Sequence, residues 1–405
     1  MSEWIAKPLG EVTSYIAKGI PPKYVEEESD NTIRVLNQKC NRDFRITYGD
    51  SRLHDNSIKK APEKKMLLPG DVLINSTGTG TAGRVAQIWN VSVPTTIDGH
   101  MILMRPTEEI DALYYGYAIK SYQPAIESYA EGSTGQTEIN KTRLQNETII
   151  SFPTDKEEQH RIGRFLADID EKILENENIN KNLEQQAQAI FKYWFVDFEP
   201  FGNNMPDNWT MGIINDLAEE IICGKTPSTK IKEYYGSDIP FITIPDMHGN
   251  TYAVTTERYL SQYGANSQPK KSLPKNSTCI SCIGTAGLVT LVATESQTNQ
   301  QINSIIPKHD YSPYYIYLLM QTMSKVINKL GQSGSTIVNL NKAQFGKMQA
   351  IIPSITVMKS FDEVVSPIFE MILERQMENA RLVSLRDILL PKLMSGEFDV
   401  SDIDL

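Results

Sequence analysis

Two stretches of the chain carry apolar residues at the spacing of a long amphipathic helix. In the first, apolar residues recur at alternating steps of four and three over 162–173 and again over 183–194. This spacing predicts a helix with a heptad seam. Thr154 and Glu157 form a capping-box pattern that predicts the helix start, with the Thr154 hydroxyl accepting from the Glu157 N–H. The seam positions are Ile162, Leu166, Ile169, Ile173, Leu183, Ala187, Ile190 and Trp194.

The second stretch, 361–393, has the same spacing and is also interrupted by polar residues near its middle. The first seam continues through Asn176 and Asn180, and the second is broken at Arg375 and Asn379. If the helices pack antiparallel, these residues lie opposite one another, and a buried Asn pair fixes register at a cost in stability. The alternative is that the Asn residues face solvent and the helices bend there. The apolar positions of this seam are Phe361, Val365, Ile368, Ile372, Leu382, Leu389 and Leu393.

The two segments that precede the predicted long helices are repeats of one sequence pattern. Trp4 pairs with Trp209, and the offset between paired residues drifts from 205 to 200 along the chain. Chance similarity would not stay collinear over so long a segment, so the pattern indicates a duplicated domain rather than a solenoid. The further pairs are Lys18-Gly19 with Cys223-Gly224, Leu68-Pro69 with Leu273-Pro274, Gly80-Thr81-Ala82-Gly83 with Gly284-Thr285-Ala286-Gly287, Ile139-Asn140-Lys141 with Leu340-Asn341-Lys342, and Phe152-Pro153 with Ile352-Pro353.

Each copy is interpreted as mixed α/β. A strand, a Gly-containing turn and a second strand are predicted over 73–89 and again over 278–292. A helix follows in both copies, capped by Asp111 in the first and by Ser312 in the second, and a polar, Gly-rich loop comes next. The predicted fold class is α+β, with two long antiparallel helices packed as a coiled coil and a pseudo-two-fold arrangement. The expected boundaries are 1–153 and 200–353 for the duplicated domains, 154–199 for the central helix, and 354–405 for the C-terminal helix and tail.

The composition is typical of a globular protein without a membrane span. Of 405 residues, 40% are hydrophobic and 22% charged, which supplies enough apolar surface for real cores. The first residues lack the features of a secretory signal, and no apolar run reaches the roughly 18 residues of a spanning helix. Four Cys in so long a chain do not form a disulfide framework. We therefore expect a cytoplasmic protein with reduced thiols.

The net charge of −10 is concentrated in the two helical segments. Segment 155–199 holds 11 acidic and 6 basic residues, and segment 355–405 holds 10 acidic and 5 basic residues. The remainder is neutral on average and is free to carry the local basic clusters that phosphate contact requires. An acidic helix face repels phosphate and suits solvent or a protein partner. The acidic positions assigned to outer faces are Glu157, Glu158, Asp170, Glu171, Glu175 and Glu177.

The order and duplication of these segments resemble the specificity (S) subunit of type I restriction–modification enzymes. The run 189–200, AIFKYWFVDFEP, is similar to the family's sequence at the end of its central helical region, and 389–397 is similar to the matching C-terminal end. The run 68–74 resembles the family's Pro-Gly-Asp strand start. The resemblance covers essentially the whole chain, and it depends on the order of the motifs because no single motif is diagnostic.

The resemblance implies a non-enzymatic subunit that binds double-stranded DNA. Each copy would be a target recognition domain reading one half of a bipartite, asymmetric site, and the helices would fix the unread spacer. Two methyltransferase (M) subunits would dock on the chain, and restriction (R) subunits would join them. No cofactor is expected in this chain, whereas S-adenosylmethionine, ATP and Mg²⁺ are expected in the partner subunits. Because the copies differ at most positions, the half-sites should differ.

DNA contacts are expected in the polar loops, whose side chains can reach phosphates and base edges. For each single residue, ordinary solvated surface remains the alternative, as it does for the basic pairs Lys59-Lys60 and Lys64-Lys65. The candidates in the first copy are Lys18, Arg84, Ser133, Thr134, Gln136 and Lys141. The candidates in the second copy are Lys225, Thr226, Gln300, Gln301, Ser333, Ser335, Asn339 and Lys342.

Several motifs with catalytic or cofactor associations are interpreted as structural. The run 78–83 fits G-x-G-x-x-G, but a strand pattern follows it where a dinucleotide fingerprint needs a helix. Cys279 and Cys282 have no second Cys or His pair with zinc-site spacing, so they are interpreted as half-buried strand residues. The tyrosine pairs 114–115 and 314–315 are expected in the core rather than stacked on bases. A loose nuclease-like triad has no counterpart in the second copy; its members are Asp50, Glu63 and Lys65.

Two other classes of function remain as alternatives. The acidic total suggests an acidic DNA mimic or interaction protein that inhibits a nuclease. A mimic should spread acid over one continuous face, whereas here the excess lies in two helices. An autonomous nuclease or methyltransferase is the other alternative. No Asn/Asp-Pro-Pro-aromatic run occurs, and five His residues are too sparse to suggest acid–base chemistry.

Overall fold

A computed structural model describes residues 3–132, 137–332 and 340–398 of the chain. The chain divides into two compact units. Unit 1 comprises Met1–Lys172 together with Val383–Leu405, and unit 2 comprises Ile173–Leu382. Each of two long helices begins in one unit and ends in the other, so each unit contains one part of both. No helix within the described ranges has the length and apolarity needed to cross a lipid bilayer.

Unit 1 is built from short strands and helices around one main apolar core. Its strands are β1 (Trp4–Pro8), β2 (Thr13–Lys18), β3 (Tyr24–Val25), β4 (Thr32–Leu36), β5 (Asn41–Arg42), β6 (Arg45–Ile46), β7 (Arg52–Asp55), β8 (Asp71–Asn75), β9 (Val85–Ile88), β10 (Thr95–Ile97), β11 (Met101–Pro106), β12 (Ala130–Glu131), β13 (Glu138–Ile139) and β14 (Ile149–Pro153). Its helices are α1 (Ala112–Ser121), α2 (Gln123–Ser128), α3 (Lys141–Glu147), the first part of α4 (Lys156–Phe195) and the last part of α9 (Ile355–Met394).

Unit 2 has the same kind of architecture. Its strands are β15 (Thr210–Ile213), β16 (Ala218–Cys223), β17 (Tyr235–Ile242), β18 (Tyr252–Ala253), β19 (Tyr259–Leu260), β20 (Thr278–Ser281), β21 (Val289–Val292), β22 (Gln297–Thr298), β23 (Ile302–Pro307) and β24 (Gln349–Ile352). Its helices are the second part of α4, α5 (Ile214–Leu217), α6 (Gln262–Asn266), α7 (Pro313–Gln332), α8 (Lys342–Gly346) and most of α9 (Ile355–Met394).

The sheet topology confirms that the chain carries two copies of one fold. The central sheet of unit 1 has the order β2-β11-β8-β9, and that of unit 2 has the order β16-β23-β20-β21, with β18 added at its edge. All pairings within the shared four-stranded part are antiparallel. In each unit the first strand also pairs antiparallel with the last, β1 with β14 and β15 with β24. The α+β fold class predicted from the duplicated pattern is therefore confirmed.

The helix caps predicted for the two copies are present. The Asp111 carboxylate accepts from the backbone N–H groups of Leu113 and Tyr114 at the start of α1. The Ser312 hydroxyl accepts from the N–H groups of Tyr314 and Tyr315 at the start of α7. The tyrosines behind both caps are buried, as expected. These caps fix where each helix begins against the central sheet, because they satisfy N–H groups that have no partner within the helix.

The capping box predicted at the start of α4 is wrong in its donor–acceptor assignment. The Glu157 N–H donates to the Asp155 carboxylate, with an N–O distance of 3.0 Å, and Thr154 lies one residue before that cap. A carboxylate is the stronger acceptor and it also carries negative charge at the positive end of the helix dipole. Asp155, and not Thr154, is therefore the residue that caps the start of α4.

Within each unit, α4 and α9 run antiparallel. In unit 1, Asp170 accepts a hydrogen bond from Arg386, with an oxygen–nitrogen distance of 2.6 Å. In unit 2, Asn176 lies against Asn379, and Asn180 against the carbonyl of Ile372. Residue numbers that rise on one helix while they fall on the other identify antiparallel packing. The seam residues Ile162, Leu166, Ile169 and Ile173 of α4 and Leu393 of α9 are buried, as the heptad pattern predicts.

The seam departs from the heptad toward the C-terminus of α4. Ile190 and Trp194 are only partly buried, while Phe191 and Phe195 are buried in their place. A straight α-helix has 3.6 rather than 3.5 residues per turn, so its buried stripe drifts when no partner forces it to supercoil. Here the stripe turns toward the core of unit 2, where Phe195 packs against Phe361, with ring centroids 4.9 Å apart. In α9, Phe369 and Leu390 are buried beside the predicted positions, and Ile368, Leu382 and Leu389 are partly buried.

Candidate DNA-binding surface

One end of the central sheet gathers most of the described candidate residues in each unit. In unit 1, β2 ends at Lys18, β8 ends at Asn75, and β9 and β11 begin at Val85 and Met101. The antiparallel register places these four strand ends together. In unit 2 the same register brings together Cys223, Ser281, Val289 and Ile302. We refer to this region, with the loops that leave it, as the sheet-end surface.

A turn with two left-handed glycines lies at both sheet-end surfaces. Gly80 and Gly83 have φ values of 70° and 88°, and the paired Gly284 and Gly287 have 77° and 91°. These left-handed values favour glycine because a Cβ atom would clash with the backbone. The strands that flank each turn confirm that 78–83 is a strand-to-strand turn and not a dinucleotide fingerprint. The turn lets the backbone lie close to whatever binds the surface.

The described residues that follow the two polar loops are hydrogen-bonded to this region. The Ile139 N–H donates to the Ser76 carbonyl at 2.8 Å, and the paired Leu340 N–H donates to the Cys282 carbonyl at 3.0 Å. Both loops therefore end beside the glycine turn. Six candidates lie outside the described residues, namely Ser133, Thr134, Gln136, Ser333, Ser335 and Asn339.

The described candidates of unit 1 are held by neighbouring groups. Lys18 forms an ion pair with Glu138, and both side chains are more than two-fifths exposed. Arg84 donates to the carbonyl of Gly80 in the glycine turn, with a nitrogen–oxygen distance of 3.1 Å. Lys141, the first residue of α3, donates to the carbonyl of Ile16 on β2 at 3.3 Å. These contacts keep three cationic side chains, two lysines and one arginine, near the central sheet.

The described candidates of unit 2 include a hydrogen-bonded pair. Thr226 donates its hydroxyl to the side-chain oxygen of Gln300 at 2.7 Å. Gln301 lies beside it, and its side-chain oxygen accepts from Asn299 at 3.1 Å. Lys225 and Lys342 are exposed. The surface thus presents amide, hydroxyl and ammonium groups, which can donate to phosphate oxygens or pair with base edges.

Two lysines that are not among the predicted DNA contacts lie at the sheet-end surfaces, one in each unit, and the first of them belongs to the basic pair Lys64-Lys65. Lys65 donates its ammonium to the carbonyl of Gly19 at 2.9 Å, and Lys271 donates to the carbonyl of Cys223 at 2.8 Å. Burial lowers the pKa of Lys65, and the nearby cations Lys141 and Lys59 lower it further. The signal was available, because each copy has a double lysine shortly before its Leu-Pro pair. Only the duplication of that feature separates it from an ordinary basic loop.

The polar residues in the helix seams are brought together in unit 2. Asn176 donates to the side-chain oxygen of Asn379 at 2.8 Å, and Asn180 donates to the carbonyl of Ile372 at 3.4 Å. Asn176 and Asn180 are buried, so they do not face solvent. Arg375 donates to the carbonyl of Met371 in its own helix at 3.4 Å, rather than to an asparagine of α4.

One acidic residue assigned to the outer face of α4 lies inside unit 1. The Asp170 carboxylate accepts from Arg386 at 2.6 Å and from the Tyr117 hydroxyl at 2.7 Å. Asp170 and Arg386 are only 16% and 15% exposed, so this ion pair links the two helices and α1. Burial, and then the Asp170 charge, raises the pKa of Tyr117. The other assigned positions are exposed, except for the partly buried Glu158.

Cys279 and Cys282 lie in the core of unit 2. Cys279 and Cys282 are fully buried, not half-buried as the strand pattern predicts, and both thiols are free. Burial raises the pKa of Cys279 to about 12 and that of Cys282 to about 11. Across the described ranges, no three His, Cys, Asp or Glu side chains are placed to hold a metal ion together.

Comparison with known proteins gives a consistent family assignment. The family model of the type I restriction modification DNA specificity domain matches residues 1–185 and 206–370, so it matches once in each copy. The chain is 31% identical to the type I restriction enzyme HindI specificity subunit of Haemophilus influenzae, over 98% of this chain and 100% of that protein. It is 23% identical to the MjaIX specificity subunit of Methanocaldococcus jannaschii, over 99% and 95% of the two chains. The crystal structure of a type I S subunit from M. genitalium superposes with a TM-score of 0.60 at 16% identity, covering 97% of this chain and 96% of that one.

Proposed function

We propose a function that starts from one fact: this chain belongs to the type I restriction–modification DNA specificity family. Its role is to recognise a DNA target sequence as the specificity subunit of such a system. Each unit reads one half of a bipartite site through its sheet-end surface. The helices α4 and α9 set the number of unread base pairs between the two halves.

The observation that carries this proposal is the duplicated sheet-end surface. Both copies have the same strand ends, the same glycine turn and a lysine that binds the end of the first central strand. The side chains around this common frame differ; for example, Lys18 stands in unit 1 where unit 2 has Cys223. A shared frame with different side chains suits two half-sites of unlike sequence, because base-edge contacts specify sequence while phosphate contacts only position the protein.

In the proposed function, this chain catalyses no reaction itself. The family supplies DNA specificity, and the methyl transfer and cleavage belong to partner subunits. Two adenine methyltransferase subunits dock on the chain, and restriction subunits join them. The methyltransferase subunits use S-adenosylmethionine, and the restriction subunits use ATP and Mg²⁺, whereas this chain needs no cofactor. The exposed acidic residues of α4 repel DNA and are suited to protein contacts.

Mapping of methylated adenines tests the proposed function. The chain is expressed with the methyltransferase subunits of its own system in a host that lacks other adenine methylation. We expect methylation at two unlike half-sites separated by a fixed number of unspecified base pairs. A palindromic or uninterrupted site, or the same methylation without this chain, contradicts the proposal. The purified chain alone, incubated with DNA, Mg²⁺ and S-adenosylmethionine, should neither cleave nor methylate.

The comparisons give no support to the acidic DNA-mimic alternative. A mimic presents carboxylates where DNA has phosphates, whereas the described ammonium groups at the sheet-end surfaces include Lys65, Lys225 and Lys271. The acidic excess of the chain lies in its helical segments. Direct binding of duplex DNA by the assembled complex, weakened by salt, separates the two functions.

A further inference from the structure

Unit 1 contains a cavity of about 280 Å³ beside the glycine turn of its sheet-end surface. Its wall is rich in cationic side chains and holds a single carboxylate. Arg84 connects the cavity to the turn, because it is one of the lining residues and its guanidinium donates to the Gly80 carbonyl. The lining residues are Arg42, Asp43, Phe44, Arg84, Val85, Lys120 and Gln123.

A rigid hairpin forms one wall of this cavity. Strands β5 and β6 are joined by Asp43 and Phe44, which have left-handed φ values of 53° and 62°. Asn41 anchors the hairpin, since its side-chain amide donates to the carbonyl of Arg84 at 2.9 Å. The Phe44 ring packs on Tyr117, with centroids 4.9 Å apart. A left-handed backbone is unfavourable for residues other than glycine and persists only where the surrounding structure stabilises it. Here the contacts of Asn41 and Phe44 stabilise the hairpin that carries Arg42.

The charges around the cavity are unbalanced toward the positive. Arg42 is exposed, Arg84 is partly buried, and Lys120 lies deeper and donates to Gln123 at 2.8 Å. Burial lowers the pKa of Lys120, and the neighbouring Arg386 lowers it further, against smaller opposing effects of Asp387, Asp43 and Asp170. Asp170 and Asp387 already accept hydrogen bonds from Arg386. Asp43 is the one carboxylate in the lining beside Arg42, Arg84 and Lys120, so an anion in the cavity would balance the remaining positive charge.

We propose that this cavity holds one phosphate of the DNA backbone next to the half-site that unit 1 reads. The inference rests on the proposed function, because it assumes that DNA lies on the sheet-end surface. The ligand chemistry is a phosphate group with oxygens available to Arg42, Arg84 and Lys120. Guanidinium groups match phosphate oxygens in geometry and charge, and a positively charged recess favours phosphate over a neutral ligand. The cavity therefore fixes the position of the DNA without reading its sequence.

Unit 2 does not provide the same cationic cavity. Leu288 follows the glycine turn where unit 1 has Arg84, and counting from the caps Asp111 and Ser312 puts Gln321 in the place of Lys120. In unit 1, Phe44 pairs with Ala86 at the edge of the central sheet. In unit 2 the matching edge is occupied by β18, where Tyr252 pairs with Leu291. At two of the three cationic positions, those of Arg84 and Lys120, unit 2 thus has an uncharged side chain. We therefore expect the DNA backbone beside the half-site of unit 1 to be bound more tightly than the backbone beside the half-site of unit 2.

Variants of the two arginines test this grip in the assembled complex. We prepare Arg42→Gln, Arg84→Gln and the double variant, and compare their binding to target and unrelated duplexes across a salt series. The matched control is Arg161→Gln, which removes the same charge from an exposed position on α4. We expect the double variant to bind both duplexes about tenfold more weakly. Its slope of log affinity against log salt should fall by about one, as for a single lost phosphate contact.

Neutral phosphate replacement locates the contact. A single methylphosphonate is moved along the target beside the half-site of unit 1. At one position, and only there, wild type and the double variant should bind with equal affinity, because the contact is then already lost. The bases read should stay the same in methylation mapping. Double-variant binding equal to that of wild type and of Arg161→Gln, or the absence of any such position, overturns the inference.

Two further results separate this inference from neighbouring explanations. If inorganic phosphate alone binds wild type but not the double variant while DNA affinity is unchanged, the cavity takes free phosphate and the DNA contact is refuted. If the wild-type complex fails to prefer any duplex, the proposed function itself fails. If wild type selects its target normally and the variants match it, only the phosphate contact is wrong. Thermal unfolding of Arg42→Gln should match wild type, since Arg42 is exposed. Thermal unfolding of the two variants that lack Arg84 measures the cost of losing its hydrogen bond to Gly80.

Discussion

The side-chain amide of Asn176 donates a hydrogen bond to the side-chain oxygen of Asn379, with an N–O distance of 2.8 Å, within the helix pair of unit 2. Asn379 in turn donates to the backbone carbonyl of Ile173 at 3.1 Å. Asn176 is 1% exposed. A shift of one helix by a heptad would place these amides against apolar seam residues. The pair therefore favours one register over its neighbours, because a buried amide without a partner is costly.

Removal of this amide should weaken unit 2. Asn176→Ala leaves the side-chain oxygen of Asn379 without that donor, and we expect a loss of roughly 1–3 kcal/mol of unfolding free energy. Asn178→Ala is the matched control, because Asn178 is exposed on the same helix and gains the same helix propensity. Urea unfolding followed by circular dichroism measures both. Equal stabilities of the two variants would show that the pair does not stabilise this register.

The ion pair between Asp170 and Arg386 should be worth more than the exposed pairs on the same helix. Asp170→Asn leaves the buried Arg386 guanidinium with only the exposed carboxylate of Asp387 as its ion-pair partner, for which we expect a cost of up to about 3 kcal/mol. Asp168→Asn changes a carboxylate two residues away that pairs with Arg164 at the surface, and its cost should stay below about 1 kcal/mol. The comparison is made by thermal unfolding at low and moderate salt. The idea is refuted if the Asp168 variant loses as much as the Asp170 variant.

Two glycines in one turn should respond differently to alanine. A Cβ on Gly83 would lie 2.6 Å from the Cα of Glu127, whereas a Cβ on Gly80 would have nothing within 4 Å. Both have positive φ, so Gly80→Ala should cost about 1 kcal/mol from backbone strain alone. Gly83→Ala adds a clash with the backbone of α2 and should cost clearly more. Chemical denaturation compares them, and equal costs would mean that the turn is free to move away from α2.

Thiol reactivity should single out Cys223. Raised pKa values mean that the thiolates of Cys279 and Cys282 are scarce over the whole pH range below about 10, so alkylation increases only as the pH approaches 11. Cys40 is also buried and its pKa is also raised. Cys223 is partly exposed at the sheet-end surface of unit 2. Mass spectrometry after brief alkylation at pH 8 should find label on Cys223 first, with bound target DNA slowing it. Early labelling of Cys279 would contradict the burial described for unit 2.

Much of the fold follows from local signals in the sequence. Asp111 and Ser312 cap their helices because each supplies an acceptor just before an apolar-periodic segment. The seam of α4 follows its heptad up to Ala187 and then drifts to Phe191. The drift could not be predicted from spacing, because it depends on which long-range partners the large aromatic side chains find. The same holds for Asp170, whose charge suggested solvent but whose partner, Arg386, is distant in sequence.

The candidate surface was predictable in its loops but less so in its individual residues. Internal duplication identified the glycine turns and the loops beside them, because both copies keep the features that the backbone requires. The contact between Lys65 and the Gly19 carbonyl depends on a chain reversal that no local pattern encodes. The cavity beside Arg84 depends on the hairpin turn at Asp43 and Phe44. Neither of these left-handed residues is a glycine or an asparagine, so the sequence does not predict the turn. Such sites arise from packing that is specific to one copy.

The most direct test of two reading units on one chain is an exchange of one of them. Residues 1–154 are replaced by those of a relative with a different target, keeping the apolar residues that meet Leu390 and Leu393 of α9, and methylated adenines are mapped in the host. We predict that one half of the methylated site changes to that of the relative, while the other half and the spacer stay the same. A change in both halves, or in neither, would contradict the account.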